Sequence, residues 1–382
     1  MIQFYDHLNI LIKPTEECNI RCVYCFNKNN GYVADLMTLE TLEKLYSVIF
    51  PFYKSINIIW HGGEPTCAGI DFYKQALRIQ DRYKNQYGVS VRNSMQTNAT
   101  LLSDEFIDLI KTYDISLGIS FDGIVNDETR KSTRRVLESL QRLKKSNVFP
   151  GIITVVTKKN IDCLVENYNY MKSLGYGLQL NQYIEMDLNN PNKELALTPK
   201  EYIERMFELY LYWFNDEECN IDLTPFRSYI EQYVFGQTPV CLHSSCMRSW
   251  VCMEHSGELI PCDKQFPKQY HYGNVNEYSD IREIYQSDGY RNLLSAAVAR
   301  RQKCMDTCPI YKYCEGGCNH SAMVEGDIEN TGGFSCIAFK ELFMKISTHI
   351  DELKITRDDF ENKIPNPYLK KCLLKITKGH KQ

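Results

Sequence analysis

From Leu8 to about Tyr183 the chain alternates short β-branched runs with longer stretches whose apolar residues recur at helical spacing, the signature of repeated βα units around a parallel sheet. The pattern predicts strands at Leu8–Lys13, Ile56–Trp60, Val89–Thr97, Ile115–Phe121, Gly151–Val156 and Leu178–Tyr183. It predicts helices at Thr38–Phe50, Asp71–Tyr87, Ser103–Tyr113, Asp127–Ser146 and Asp162–Leu174. Right-handed crossovers curl six such units into a partial (β/α)6 TIM-like barrel, with functional groups on the loops that leave the C-terminal strand ends. A further helix is expected over Thr198–Phe214, opened by Thr198 as cap and Pro199 in the first turn. Beyond it, Gly, Pro and Cys are scattered among short segments too irregular for a large apolar core, and this region reads as a small cysteine-rich domain stapled by metal. Helical periodicity returns from about Phe339 and gives way to a lysine-bearing tail, Lys370–Gln382, expected to be solvated. The expected organisation is therefore α/β, with the barrel at 1–235, the cysteine-rich domain at 236–340 and a C-terminal helix with a basic tail at 341–382.

Composition narrows the class. At 382 residues, with 24% charged and 43% hydrophobic positions, the chain has the balance of an ordinary globular protein and not of a disordered or fibrous one. A formal net charge of -4 argues against a nucleic-acid or anionic-membrane partner, either of which calls for a basic excess. The first residues include Asp6 and His7 and lack a secretory pattern, and no run approaches the ~20 apolar residues of a membrane span, so a cytoplasmic location is expected. In that reducing compartment 16 cysteines point to metal or cluster ligation and away from a disulfide framework.

Cys18, Cys22 and Cys25 follow the first strand with three and then two residues between them. Three soft ligands on one short loop suit an iron–sulfur cluster, which normally takes four, so one iron is left open for another ligand. A zinc site short of one ligand is the alternative. This loop, with the aromatic Tyr24 before its last cysteine, resembles that of the radical S-adenosylmethionine (SAM) superfamily. The resemblance implies that the open iron chelates SAM and that one electron releases a 5′-deoxyadenosyl radical, which abstracts hydrogen from substrate. Trp60-His61-Gly62-Gly63-Glu64-Pro65 at the second strand end is similar to the family's glycine-rich motif, which implies contact with the SAM amino group through Gly62, Gly63, Glu64 and Pro65, with Glu64 countering its charge. Thr97 and Asn98 at the third strand end, and Ser120 and Asp122 at the fourth, resemble positions lining the ribose and the substrate cavity.

The later cysteines resemble the SPASM extension of this superfamily. By that resemblance Cys241, Cys262 and Cys318 hold one auxiliary [4Fe–4S] cluster, and Cys304, Cys308, Cys314 and Cys336 hold another. Two departures stand out. Three residues lie between Cys304 and Cys308 where the family usually has two, and no cysteine lies just beyond Cys262. Either Cys246 or Cys252 supplies the missing ligand, or that iron is open. A zinc ribbon is the alternative for the whole region. Cys67, Cys163, Cys219 and Cys372 match no motif and read as structural thiols. Asp263 matches an Asp of anaerobic sulfatase-maturing enzymes that takes a proton from substrate; a turn aspartate is the plainer alternative.

The resemblance implies a polypeptide substrate and an electron donor such as flavodoxin or ferredoxin, in a low-oxygen host. The favoured expectation is a maturase that forms a thioether or carbon–carbon link in a ribosomally made peptide, with a separate peptide-recognition protein as a further expected partner. The alternative enzyme forms formylglycine from Cys or Ser of a sulfatase. A non-catalytic iron–sulfur electron carrier is the third reading, which the glycine motif and the open-iron triad oppose.

Overall fold

The computed structural model describes residues 6–26, 35–185, 192–236, 246–326, 328–329 and 331–379. The chain divides into two compact units, one drawn from Met1–Phe121, Arg130–Pro150 and Cys246–Ala296, the other from Asp122–Thr129, Gly151–Ser245 and Ala297–Gln382.

In the first unit four strands run parallel: β1 (His7–Ile12), β2 (Ser55–Trp60), β3 (Ser90–Thr97) and β4 (Ser116–Ser120) pair in that order. Alternation places Ile56, Ile58 and Trp60 in the core, as a half-buried period-two pattern requires. The helix Leu39–Ile49 opens on Thr38, whose hydroxyl accepts the Thr41 N–H at 3.1 Å. Ser103 caps Asp104–Thr112 in the same way through Phe106 N–H at 3.2 Å. Trp60 meets Tyr73 of the helix Ile70–Tyr87 edge to face, with centroids 5.3 Å apart.

In the second unit β5 (Gly151–Val156), β6 (Leu178–Gln182) and the two-residue β7 (Leu223–Thr224) pair in parallel. The helix Pro199–Phe214 starts with a full capping box between Thr198 and Glu201, and its Tyr210, Trp213 and Phe214 are buried. Tyr210 also meets His349 of the helix Phe334–Glu352, at 2.9 Å from its hydroxyl to Nδ1. The α/β class with a parallel sheet is thus as expected, and the expected strand ends lie within two residues of those found.

Three features differ from expectation. The helix expected over Asp127–Ser146 is two helices, Asn126–Thr129 and Thr133–Lys145. Lys131 and Ser132 between them take positive φ of 67° and 64°, which ends one helix before the next begins. The cysteine-rich region is not without a core: β8 (Trp250–Met253) joins β1 in parallel, and β9 (Glu258–Ile260) and β10 (Gly273–Asn274) follow antiparallel. Val251, Met253, Leu259 and Ile260 of these strands are buried. The lysine-bearing tail is largely a helix, Pro367–Gly379, anchored by the buried Leu369 and Leu373. Those two leucines are one turn apart and give the helix an apolar stripe, while Asn366 caps it and donates to the Trp213 carbonyl at 2.7 Å.

Candidate active site

The loop after β1 carries Cys18, Cys22 and Cys25. Its last turn closes with the Cys25 N–H donating to the Cys22 carbonyl at 3.3 Å, and Cys18 and Cys25 are electrostatic neighbours. Two side chains donate to sulfur: Asn98 Nδ2 to Cys18 Sγ at 4.0 Å, and Arg130 Nη1 to Cys22 Sγ at 3.8 Å. Such donors favour thiolate over thiol. Burial pushes the Cys18 thiol up, and the Ile20 backbone and Arg21 pull against that. The Arg130 guanidinium also lies 5.1 Å over the Tyr24 ring. Sequence reasoning missed Arg130, because an unbroken helix over its position gives it no reason to turn toward the cysteines.

The two glycines of the second strand end serve the cysteine loop directly. At Gly62, φ +118°, an added Cβ would stand 2.3 Å from the Thr15 carbonyl; at Gly63 it would stand 2.3 Å from that of Glu16 and 2.4 Å from that of Glu17. Through this contact Gly63 N–H reaches Thr15 at 3.1 Å and Glu64 N–H reaches Glu17 at 2.8 Å. The bare backbone lets the two loops touch. Glu64 is 1% exposed. Its Oε1 accepts from Thr66 N–H at 3.1 Å, Thr66 Oγ1 at 2.6 Å and Thr97 Oγ1 at 2.6 Å, and its Oε2 from Asn98 N–H at 2.7 Å. Burial pushes this carboxyl up and those bonds pull it back. The carboxylate therefore clasps the ends of β2 and β3 and caps the short turn Pro65–Ala68, work that the sequence did not reveal.

Asn98 reaches the cysteine loop, its Nδ2 also donating to Asn19 Oδ1 at 2.9 Å, while Thr97 is engaged by Glu64. Ser120 accepts from Gln96 Nε2 at 2.9 Å, beside Gly118, where a Cβ would meet the Gln96 amide at 2.2 Å. Asp122, in the other unit, is fully buried: Oδ2 accepts from Thr129 Oγ1 at 2.7 Å and Oδ1 from Val155 N–H at 3.0 Å.

Asp263 stands on a loop tied to the first cysteines. The following Gln265 donates to the Phe26 carbonyl at 3.0 Å, and Lys264 lies 5.6 Å over the Phe26 ring; Phe26 is the residue after Cys25. Lys13 and His61 count Asp263 among their charged neighbours. Lys13 is 3% exposed, with Nζ 3.4 Å from Glu16 and 3.6 Å from Glu254. Burial pulls its ammonium down, but Cys252, Glu16, Glu254 and Asp263 outweigh that and hold it above its ordinary range. His61 Nδ1 is buried without a hydrogen-bond partner. Burial lowers this imidazole against the pull of Asp263, keeping it neutral near pH 7. His61 was in view in the sequence as the polar residue before the glycines, and Lys13 was not, since a strand-end lysine ordinarily reaches solvent.

Cys241 lies outside the described residues. Of the two candidates to complete its set, Cys246 and Cys252, the first neighbours the phenol of Tyr272, which is 1% exposed, as Cys262 does. Cys252 instead sits inside β8 with Leu11 and Ile260, where burial pushes its thiol up. In the second unit Cys304 and Cys314 each have Cys308 and Cys336 as electrostatic neighbours, and Cys314 has Cys304 as well. The unusual spacing has a simple form: the helix Asp288–Thr307 ends there, and the Cys308 N–H donates to the Cys304 carbonyl at 2.8 Å, so the pair is one helical turn apart. Cys318 stands at the cap of the helix Asn319–Val324. Among the described residues no three His, Cys, Asp or Glu side chains stand close enough to hold one metal ion.

Thiolates gathered under buried donors, on loops at the strand ends of a parallel sheet, define an iron–sulfur protein of the α/β class. Residues 12–171 match the radical SAM superfamily, and residues 241–319 match SPASM, an iron–sulfur cluster-binding domain. The chain belongs to the radical SAM superfamily. It is an enzyme whose cofactors are SAM, a SAM-binding [4Fe–4S] cluster and auxiliary [4Fe–4S] clusters in the SPASM domain. A cysteine-type anaerobic sulfatase-maturating enzyme of Clostridium novyi (strain NT) is 27% identical over 361 residues, covering 88% of this chain and 95% of the relative. The solved structure of native anSMEcpe with bound AdoMet has a TM-score of 0.78 at 22% identity, covering 91% of this chain and 99% of that one. Streptococcus suis SuiB bound to precursor peptide SuiA has a TM-score of 0.62 at 19% identity, over 86% of this chain and 75% of that one. Among the described residues no helix is long and apolar enough to cross a membrane.

Proposed function

We propose that this enzyme oxidises a side chain of a polypeptide substrate, and that the reaction is conversion of a Cys or Ser to formylglycine. The observation that carries this reading is Asp263, a charged neighbour of Lys13 and His61 on a loop whose Lys264 and Gln265 contact Phe26, the residue after Cys25. Support comes from the maturating-enzyme relative, matched along 95% of its length.

When bound, reductively cleaved SAM supplies a radical that takes one hydrogen atom from the substrate Cβ, and an auxiliary cluster supplies an acceptor for the electron that leaves next. Cys18, Cys22 and Cys25 would hold the first cluster, Cys246 and Cys262 would serve one auxiliary cluster, and Cys304, Cys308, Cys314 and Cys336 would hold the other. Asn98 and Arg130 orient the first set through its sulfurs. Gly62 and Gly63 set the distance between the glycine loop and that set, and Tyr24, Pro65, Thr97 and Ser120 would line or shape the SAM and substrate space. Asp263 accepts the thiol or hydroxyl proton, with Lys13 and His61 fixing its surroundings. Loss of a hydrogen atom, a proton and an electron leaves a thioaldehyde or aldehyde, and water releases sulfide from the former.

The test is mass spectrometry of a sulfatase-derived Cys peptide and its Ser counterpart after anaerobic incubation with SAM and reductant, with an aldehyde-reactive hydrazide as probe. Hydrazide-positive product supports the reading. The second reading, a thioether or carbon–carbon link, is favoured by the likeness to SuiB and appears as loss of a hydrogen pair with no aldehyde.

A further inference from the structure

Arg300 lies one turn before Cys304 and is 1% exposed. Four of its five N–H donors are met by neutral oxygens: Nε donates to the Gly316 carbonyl at 2.8 Å, Nη1 to that of Ile328, and Nη2 to Asn319 Oδ1 and to the Gly317 carbonyl at 3.5 Å. Among the described residues no carboxylate is paired with it. A guanidinium withdrawn from water without an anion is costly. Burial pulls this arginine down and the neighbouring Arg301 adds to that, while the sulfurs of Cys318, then Cys304 and Cys314, pull it back up. Gly316 and Gly317 take φ of +87° and +71°, and this left-handed backbone turns the carbonyls between Cys314 and Cys318 onto the guanidinium. The ligand loop is thus wrapped around a fixed cation. Neutral thiols would leave that cation uncompensated, whereas a cluster bound through four thiolates carries the charge that answers it.

We propose that Arg300 is the built-in counter-cation of the auxiliary cluster held by Cys304, Cys308, Cys314 and Cys336, a positioning residue that raises the reduction potential of that cluster and suits it to accept an electron. This rests on the reading that those four cysteines hold a [4Fe–4S] cluster. One-electron reduction makes the cluster more negative by one charge, and a fixed positive charge in a low-dielectric interior stabilises the reduced state over the oxidised one.

The experiment is an EPR-monitored potentiometric titration, with iron counting, of the anaerobically reconstituted full chain in a Cys18/Cys22/Cys25→Ala background, which removes the first cluster's signal. The signal lost on Cys336→Ala belongs to this site; its absence before that substitution would refute the cluster assignment itself. Arg300→Gln removes the charge and Arg300→Lys keeps it. The expected result is full iron in both, a fall of at least tenfold in the one-electron reduction equilibrium of Arg300→Gln, about 59 mV for n = 1, and a change under threefold in Arg300→Lys. If Arg300→Gln loses iron, the same threefold limit on iron-replete Arg300→Lys decides. Full iron with an unshifted potential in Arg300→Gln, a tenfold fall in Arg300→Lys, or iron loss in both variants would overturn the proposal, the last leaving a purely structural role.

Discussion

Gly63→Ala tests how the glycine loop and the first cysteine loop are coupled. The new Cβ would stand 2.3 Å from the Glu16 carbonyl oxygen, 2.4 Å from that of Glu17 and 2.7 Å from the Glu16 carbonyl carbon. All three are backbone atoms, so no side chain can swing away and the loops must separate. Overpacking of this kind costs about 1–3 kcal/mol. Separation also weakens two hydrogen bonds, Gly63 N–H to Thr15 and Glu64 N–H to Glu17, each worth about 0.5–1.5 kcal/mol. The combined loss of ~2–6 kcal/mol is a large part of the ~5–15 kcal/mol that holds a native protein together. It falls on the loop that carries Cys18, Cys22 and Cys25. The expected outcome is a lower melting temperature by scanning fluorimetry, together with loss of about four irons and of SAM cleavage after anaerobic reconstitution. Gly151→Ala is the matched control: nothing lies within 4 Å of its added Cβ and its φ is not positive, so its stability should change by less than about 0.5 kcal/mol. A Gly63→Ala protein that melts, loads iron and cleaves SAM like wild type would refute the reasoning.

Cys246→Ala should lose about four irons from the auxiliary complement, whereas Cys252→Ala should keep its iron and lose only about 1–2 kcal/mol from a small cavity beside Leu11 and Ile260; iron analysis and thermal melts separate the two, and the reverse pattern would exchange their roles. Asp263→Asn should still cleave SAM to 5′-deoxyadenosine yet yield at least a hundredfold less oxidised peptide, the scale of a lost proton acceptor; unchanged product by mass spectrometry would remove Asp263 from the reaction. Asp216 offers a pH test. Burial pushes its carboxyl up, but Lys172 at 2.7 Å and Tyr168 at 2.7 Å outweigh that and hold it below its ordinary value. Its contribution is therefore present above the unfolded-state pKa and lost as pH falls through the folded one. Asp216→Asn should destabilise by about 1–3 kcal/mol at pH 7, with the gap to wild type closing below about pH 4; a gap that widens in acid would reverse the sign.

Regular elements were legible because their periods are written in residue type: Ile56, Ile58 and Trp60 alternate, and Thr198-Pro199 with Glu201 spells a helix start. The break at Arg130–Ser132 was not, since Lys131 and Ser132 are ordinary helix residues and only the fold places them at positive φ. The core of the cysteine region was also hidden, because three- and four-residue strands such as Glu258–Ile260 are too short to show a period. Cysteine spacing pointed to candidate ligand sets, yet long-range partners left no local trace. Lys13 with Glu254, Asn98 with Cys18 and Arg300 with Asn319 are joined only by the fold. Glu64 shows the same limit from the other side: the motif marked the residue, while its four hydrogen bonds, two from Thr66 in the turn it caps and two from Thr97 and Asn98 at the end of β3, assign it to holding the loop.

The central claim is that one cysteine triad carries SAM chemistry while separate cysteine sets hold auxiliary clusters. Iron counting and a SAM-cleavage assay on anaerobically reconstituted wild type and the Cys18/Cys22/Cys25→Ala variant test it most directly. The account predicts about twelve irons falling to about eight, with 5′-deoxyadenosine formation abolished. Four irons or fewer in wild type, with zinc bound by the later cysteines, or 5′-deoxyadenosine still formed by the variant, would contradict it.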